Sequence, residues 1–222
     1  MTNAFTPPAG PGAYQTLSAL VLGSSSPRRR ELLGSLGLDF EVCPSNAAEP
    51  PPLPGEAPDA YARRMARQKT LDVVALYPTC AVLGADTIVV LPGENGADAL
   101  VLGKPENEAD AVRMLTLLSG RAHQVITGCC LAVPGHAEPD CFAVTTDVTM
   151  RKSTPQELAA YAATGECADK AGAYAIQSLG AFLVERVDGS YTNVVGLPVT
   201  QCAQLLLAHG IITARTAAGG KP

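Results

Sequence analysis

The stretch Leu20 to Gly37, LVLGSSSPRRRELLGSLG, constrains this chain more than any other. An apolar strand runs into a Gly/Ser turn, and Ser26-Pro27 then reads as a helix N-cap followed by proline at the first helical position. Arg28, Arg29 and Arg30 fill that first turn. Cations are misplaced there, because a helix N-terminus already carries partial positive charge. Guanidinium groups beside unpaired backbone N–H groups cost stability unless an anion sits among them, and a polyanion could use all of these donors together. The bland alternative is a solvated basic turn.

The remaining pattern predicts an α/β fold, a mixed β-sheet wrapped by helices. Residues 1–18 are rich in Pro, Gly and Ala and are expected to be a flexible extension, with one domain over 19–212 and a loose tail over 213–222. Strands are expected at Ala19 to Leu22 and Phe40 to Cys43, with a helix at Pro27 to Leu36 stopped by Gly37. A proline-rich loop, Glu49 to Pro58, precedes a helix over Asp59 to Leu76. Ala81 to Leu91 reads as an apolar strand interrupted by Gly84-Ala85-Asp86-Thr87, then a turn over Pro92 to Asp98 and a return strand, Ala99 to Leu102. Ala111, Met114, Leu115 and Leu118 share one face of a helix over Asn107 to Leu118. Gln124 to Val133 and Cys141 to Met150 form a long hairpin, and Thr154 with Glu157 closes a capping box on a helix to Ala163. Thr164 to Gln177 and Ser190 to Pro198 read as loops around a strand at Ala181 to Val187, and a last helix covers Val199 to Ala208.

Composition excludes several classes. The formal net charge of -5 argues against a general nucleic-acid binder, so any polyanion site must be local. No long uncharged apolar run predicts a membrane span, and the N-terminus lacks the pattern of a signal peptide. Seven cysteines without CxxC spacing read as reduced, mostly buried thiols of a cytoplasmic protein. His123, His136 and His209 are far apart and without an HExxH pattern, which makes a zinc site improbable.

A few polar residues interrupt the apolar framework. Asp86 lies between Ala81-Val82-Leu83 and Ile88-Val89-Val90, where a carboxylate is costly unless paired, hydrogen-bonded or metal-bound. Such a position suits a general base or metal ligand, and equally a structural Asp that caps nearby N–H groups. Gly103-Lys104-Pro105 projects a lysine from a fixed turn but is not a Walker A loop, since Pro stands where Ser or Thr is needed. Taken alone, Lys104 reads as a surface lysine. Lys69 lies on the second helix among Arg63, Arg64 and Arg67, a pattern more often found on a solvated face. The irregular segment Thr164 to Gln177 is of a kind that more often carries function.

Several spaced segments, LVLGSSSPRRRELLGSLGLDFEV, VLGADTIVV, LGKP, MLTLLSGRAHQVITG, VTTDVTMRKST and TGECADKAGAYAIQSLGAFLVERVDGSYTNVVGLP, resemble the Maf family of nucleoside triphosphate pyrophosphatases, from about Leu20 to Leu207. The resemblance implies a Maf/inosine triphosphate pyrophosphatase-like fold and hydrolysis of a nucleoside triphosphate to monophosphate and diphosphate. It implies a divalent metal, Mg²⁺ or Mn²⁺, and Asp86 as proton acceptor or metal ligand. Ser24, Arg29, Lys69 and Lys104 match the phosphate-binding positions. Arg28, Thr87 and Gln177 match the positions that set base preference in the dTTP/UTP branch; the 7-methyl-GTP branch tends to carry Trp, Gln and Glu there. Glu49 is the sole carboxylate of the segment that replaces the family's acidic loop, and so stands as second metal ligand. The expected partner is the nucleotide alone, with no nucleic acid or membrane, and a homodimer stays open. Another modified nucleotide, 7-methyl-GTP among them, and a non-catalytic nucleotide-sensing regulator of cell division are the competing readings.

Overall fold

A computed structural model describes residues 12–93 and 99–216. In chain order its elements are β1 (Tyr14–Thr16), β2 (Leu20–Leu22), α1 (Pro27–Gly34), β3 (Glu41–Val42), α2 (Pro58–Val74), β4 (Ala81–Leu91) and β5 (Leu100–Leu102). There follow α3 (Glu108–Leu118), β6 (Ala122–Ala132), β7 (Asp140–Met150), α4 (Pro155–Ala162), β8 (Val184–Asp188), α5 (Tyr191–Val195), α6 (Val199–Ala208) and β9 (Ile212–Ala214). The fold is α/β, with a mixed seven-stranded sheet in the order β3-β2-β4-β6-β7-β8 and β5 added to β4.

The sheet contains a gap. Parallel β2 covers the edge of β4 only at Ala81, Val82 and Leu83. Antiparallel β5 covers it again at Val89, Val90 and Leu91. Between them, residues 84–88 have a sheet partner only on the β6 side. Strand β4 is continuous through this segment, which corrects the expected interruption at Gly84 to Thr87. Gly84 and Gly128 are there for packing. A Cβ on Gly84 would strike Thr70 of α2, and one on Gly128 would strike the Ala62 carbonyl. Without those side chains, α2 lies directly on β4 and β6 and buries Tyr61, Ala62, Met65, Ala66, Thr70 and Val73.

The opposite sheet face carries two larger apolar clusters. One joins β4, β6 and β7 to α3 and α4 through residues such as Val89, Leu115, Val125, Val148 and Leu158. The other joins β2 and β4 to α6 through Leu22, Leu83, Cys129, Leu197 and Leu206. Capping follows the residue types expected: Ser26, Asn107 and Thr154 each accept a backbone N–H at their helix starts, and Glu157 completes the capping box.

The chain ends differ from expectation. Tyr14–Thr16 and Ile212–Ala214 pair as a small antiparallel sheet, so part of the supposed extension and the start of the supposed tail are ordered together. Loop 190–198 contains the short helix α5, and Ser178–Leu183 is a 3₁₀ segment rather than the start of a strand. Most of the expected turn at Pro92 to Asp98 lies outside the described residues, but its flanks do pair as a hairpin. Cys130 and Cys141 face each other across the β6–β7 ladder and form a disulfide, which corrects the expectation of seven reduced thiols. That pairing follows from hairpin register and leaves no trace in cysteine spacing. No helix among the described residues is long and apolar enough to cross a membrane.

Candidate active site

A cavity of about 440 Å³ opens where the β4 edge is uncovered. Its walls come from the Gly23–Arg29 turn, residues 86–88 of β4, Lys69 of α2, Lys104 and the 169–177 segment. This placement, beyond the carboxyl end of β2, is where open α/β sheets put ligands.

Strand alternation sends neighbouring residues to opposite faces. Asp86 turns toward α2, where Lys69 Nζ donates to its Oδ1 at 2.6 Å. The same ammonium lies 2.7 Å from Glu49 Oε1. Glu49 reaches the cavity because its proline-rich loop is tied to α2. Ser45 Oγ and Asn46 N donate to Asp72, Tyr61 Oη donates to the Pro50 carbonyl, and Arg64 holds Glu56. Burial pushes the Glu49 carboxyl up, but the Lys69 hydrogen bond and the charges of Lys69, Lys104 and Arg29 outweigh it and leave it below its ordinary value. Two carboxylates thus converge on one cation position. Magnesium is commonly held by one or two carboxylates together with substrate phosphates, so the donor set fits a divalent metal. Among the described residues no group of three or more His, Cys, Asp or Glu could hold one unaided.

Thr87 turns to the other face. Arg29 Nη2 donates to Thr87 Oγ1 at 3.0 Å, Thr87 lies 2.9 Å from Thr127 Oγ1, and Thr127 donates to the Asn193 carbonyl at 3.1 Å. Thr87 Oγ1 also lies 3.5 Å from the Gly196 carbonyl, so its proton has both Thr127 and Gly196 as acceptors. Arg29 also donates to Gly196 O, Ala85 O and Ser24 Oγ. These bonds use four of the five guanidinium N–H hydrogens. Burial lowers the Arg29 pKa, opposed chiefly by the charge of Asp86. The sequence expects Arg29 to face phosphate and to be strained without it. The structure instead places it as a clamp joining the Ser24 turn, β4 and the loop after α5, with one N–H of Nη2 to spare. Ser24 is likewise engaged: its Oγ accepts from Arg29 and from the Ser26 N–H.

Arg28 sits at the rim, 3.5 Å from Asp169, which Lys170 also contacts at 2.7 Å. Lys104 is exposed beside the cavity, and Gln177 lines its far wall. Ser24, Arg28, Arg29, Glu49, Lys69, Asp86, Thr87, Lys104 and Gln177 thus all line one cavity, although they are spread over more than 150 positions of chain.

Residues 19–209 match the family described as Maf-like protein. The chain belongs to the Maf family. It is 46% identical over 202 residues to the dTTP/UTP pyrophosphatase of Oleidesulfovibrio alaskensis, covering 90% of both chains. It is 49% identical to the dTTP/UTP pyrophosphatase of Geobacter sulfurreducens, covering 87% of this chain and 97% of that one. The dTTP/UTP pyrophosphatase of Escherichia coli O157:H7 is 46% identical, covering 86% and 92%.

Several residues around the cavity of this Maf chain carry no distinct signal in its sequence. Tyr174 lines the wall and lies 2.7 Å from His123 Nε2, beneath the sheet. Burial pushes His123 down to about 4, so the ring is neutral, and its Nε2 shares a hydrogen bond with the Tyr174 hydroxyl. Ala173 and Ser178, with φ of 59° and 58°, bracket residues 174–177 in the left-handed region. Such strain persists where surrounding bonds hold it. Here Tyr161 Oη receives the Ala175 N–H, and Glu166 receives the N–H groups of Leu179 and Gly180. The only signal in sequence was the irregularity of the segment itself.

Proposed function

We propose that this Maf protein hydrolyses dTTP and UTP to the monophosphate and diphosphate, in the cytoplasm. The observation that carries the reading is the Asp86–Lys69–Glu49 cluster at the base of a cation-walled cavity, in a chain close to half identical to dTTP/UTP pyrophosphatases.

In this reading Asp86, set in the core strand β4, orients a water and takes its proton as that water attacks the α-phosphorus. Arg28 and Lys104 supply positive charge along the triphosphate, and the spare N–H of Arg29 adds a fixed donor at the floor. A divalent cation, Mg²⁺ or Mn²⁺, held by Asp86 and Glu49 would neutralise the triphosphate and the departing diphosphate. Gln177 lies where the base can meet a side chain able both to give and to accept a hydrogen bond.

Hydrolysis in ¹⁸O-water tests this. Label should appear in UMP or dTMP, with unlabelled diphosphate as the other product. Release of nucleoside diphosphate and orthophosphate, or label in the diphosphate, would overturn it.

A further inference from the structure

The Lys69 ammonium occupies the place between the two carboxylates that a metal would need. It is 2.6 Å from Asp86 Oδ1 and 2.7 Å from Glu49 Oε1. The side chains of Lys69 and Asp86 are only 14% and 11% exposed, so solvent screens their pairing little. A divalent cation bonded to those oxygens at about 2.0–2.1 Å could not share the space with an ammonium at hydrogen-bond distance from them. The other basic residues of α2 have carboxylates of their own: Arg63 pairs with Asp59, Arg64 with Glu56 and Arg67 with Glu138.

We propose that Lys69 is a resident counter-ion that keeps the divalent cation out of the nucleotide-free site and surrenders the position only when a triphosphate arrives to receive its ammonium. This rests on the reading of the cavity as a nucleoside triphosphate site. A flexible four-carbon stem lets a lysine change partners without moving its helix. In the empty site Lys69 neutralises a pair of carboxylates that would otherwise repel across the cavity floor. In the filled site the same charge serves the phosphates, and Asp86 and Glu49 are freed together. The cation and nucleotide then bind as a unit, and metal alone binds poorly.

The test is Mn²⁺ titration of the full, nucleotide-free chain, followed by electron paramagnetic resonance. Wild type should bind Mn²⁺ weakly, and Lys69→Met should bind about tenfold tighter or more, because two carboxylates lose their counter-charge. A folded Lys69→Met protein with unchanged Mn²⁺ affinity, or tight Mn²⁺ binding by wild type, would overturn the proposal. Should Lys69→Met fail to fold, the wild-type Lys69 ammonium signal in ¹⁵N-lysine NMR decides instead. Mg²⁺ alone should leave it in place, and Mg²⁺ with α,β-imido-UTP should move it. Displacement by Mg²⁺ alone refutes the exchange. So does an unmoved signal in a protein that hydrolyses UTP, and in that case the pyrophosphatase reading survives.

Discussion

Residues 86 and 87 are neighbours in one strand, yet the two faces of β4 they occupy are built differently. On the α2 face, Asp86 and Glu49 share a single ammonium carried on a flexible lysine stem. On the opposite face, Thr87, Thr127, Arg29 and Asn193 are joined by bonds that protein atoms already satisfy. One face holds charge available for chemistry. The other fixes the distance between the arginine turn, the strand and the loop after α5. The same division separates the adjacent arginines: Arg28 is at the rim with a distant, partly exposed partner, and Arg29 is locked in the floor.

The largest effect should follow from cutting the chemical face. Asp86→Asn should lower kcat by on the order of 10² or more, with the fold retained, since the amide is nearly isosteric and Lys69 keeps Glu49. Near wild-type turnover by the folded variant would move the chemistry elsewhere and erase the contrast between the faces.

Arg29→Ala should act on stability. Removing the clamp strands the Ala85 and Gly196 carbonyls and breaks the start of the Thr87 chain, at a cost of about 3 kcal/mol in the nucleotide-free protein. Arg28→Ala should leave the melting temperature nearly unchanged and raise KM for UTP, because its pair with Asp169 is long and partly exposed. Thermal melts of both variants decide the matter; equal losses would mean that the two arginines do not divide the work.

That reversal shows what the sequence could and could not convey. Residue types announce chemistry at Asp86 and the arginine turn, whereas Lys69 and Lys104 each read alone as surface lysines and stand out only through resemblance to the family. Helix ends were legible because Ser26, Asn107, Thr154 and Glu157 cap by local bonding. Which arginine turns inward is decided by Gly196, more than 160 residues away, and no local pattern encodes that contact. Gly84 reads as a break in its strand, yet its role, like that of Gly128, lies in a helix from elsewhere in the chain. The β1–β9 pair and the Cys130–Cys141 disulfide likewise depend on long-range register.

A smaller effect should come from His123, on the same sheet face as Thr127. Its pKa is lowered to about 4 by burial. The unfolded chain, with an ordinary value of about 6.5, binds this proton more readily. Stability should therefore be full above pH 6.5 and fall as pH drops toward 4, by about 2 kcal/mol between pH 7 and 5. Urea unfolding of wild type and His123→Gln across that range checks it. The variant should lose this part of the pH slope, and an unchanged slope would show that His123 takes up its proton in the folded state.

The finest distinction is the choice of base, and it should rest on Gln177. Uracil and thymine present carbonyl acceptors at O2 and O4 beside an N3–H donor. An amide can meet such an edge with one donor and one acceptor, whereas a carboxylate offers acceptors only. Gln177→Glu should set a negative oxygen against a pyrimidine carbonyl, while a 7-methylguanine edge supplies N–H donors that suit it. The ratio of kcat/KM for UTP to that for 7-methyl-GTP should fall by about tenfold. Thr87 makes a poor companion for this experiment. Its hydroxyl already accepts from Arg29 and is bonded to Thr127, so what it offers the base is room rather than a bond. Thr87→Gln would disrupt the floor together with the pocket, and a loss of UTP turnover could then be a loss of structure. Gln177 has no part in that chain of bonds, so a shifted ratio at an unchanged melting temperature reports the base edge alone. An unchanged ratio would mean that the wall at Gln177 does not read the base, and selection would have to be sought at the rim, where Arg28 stands.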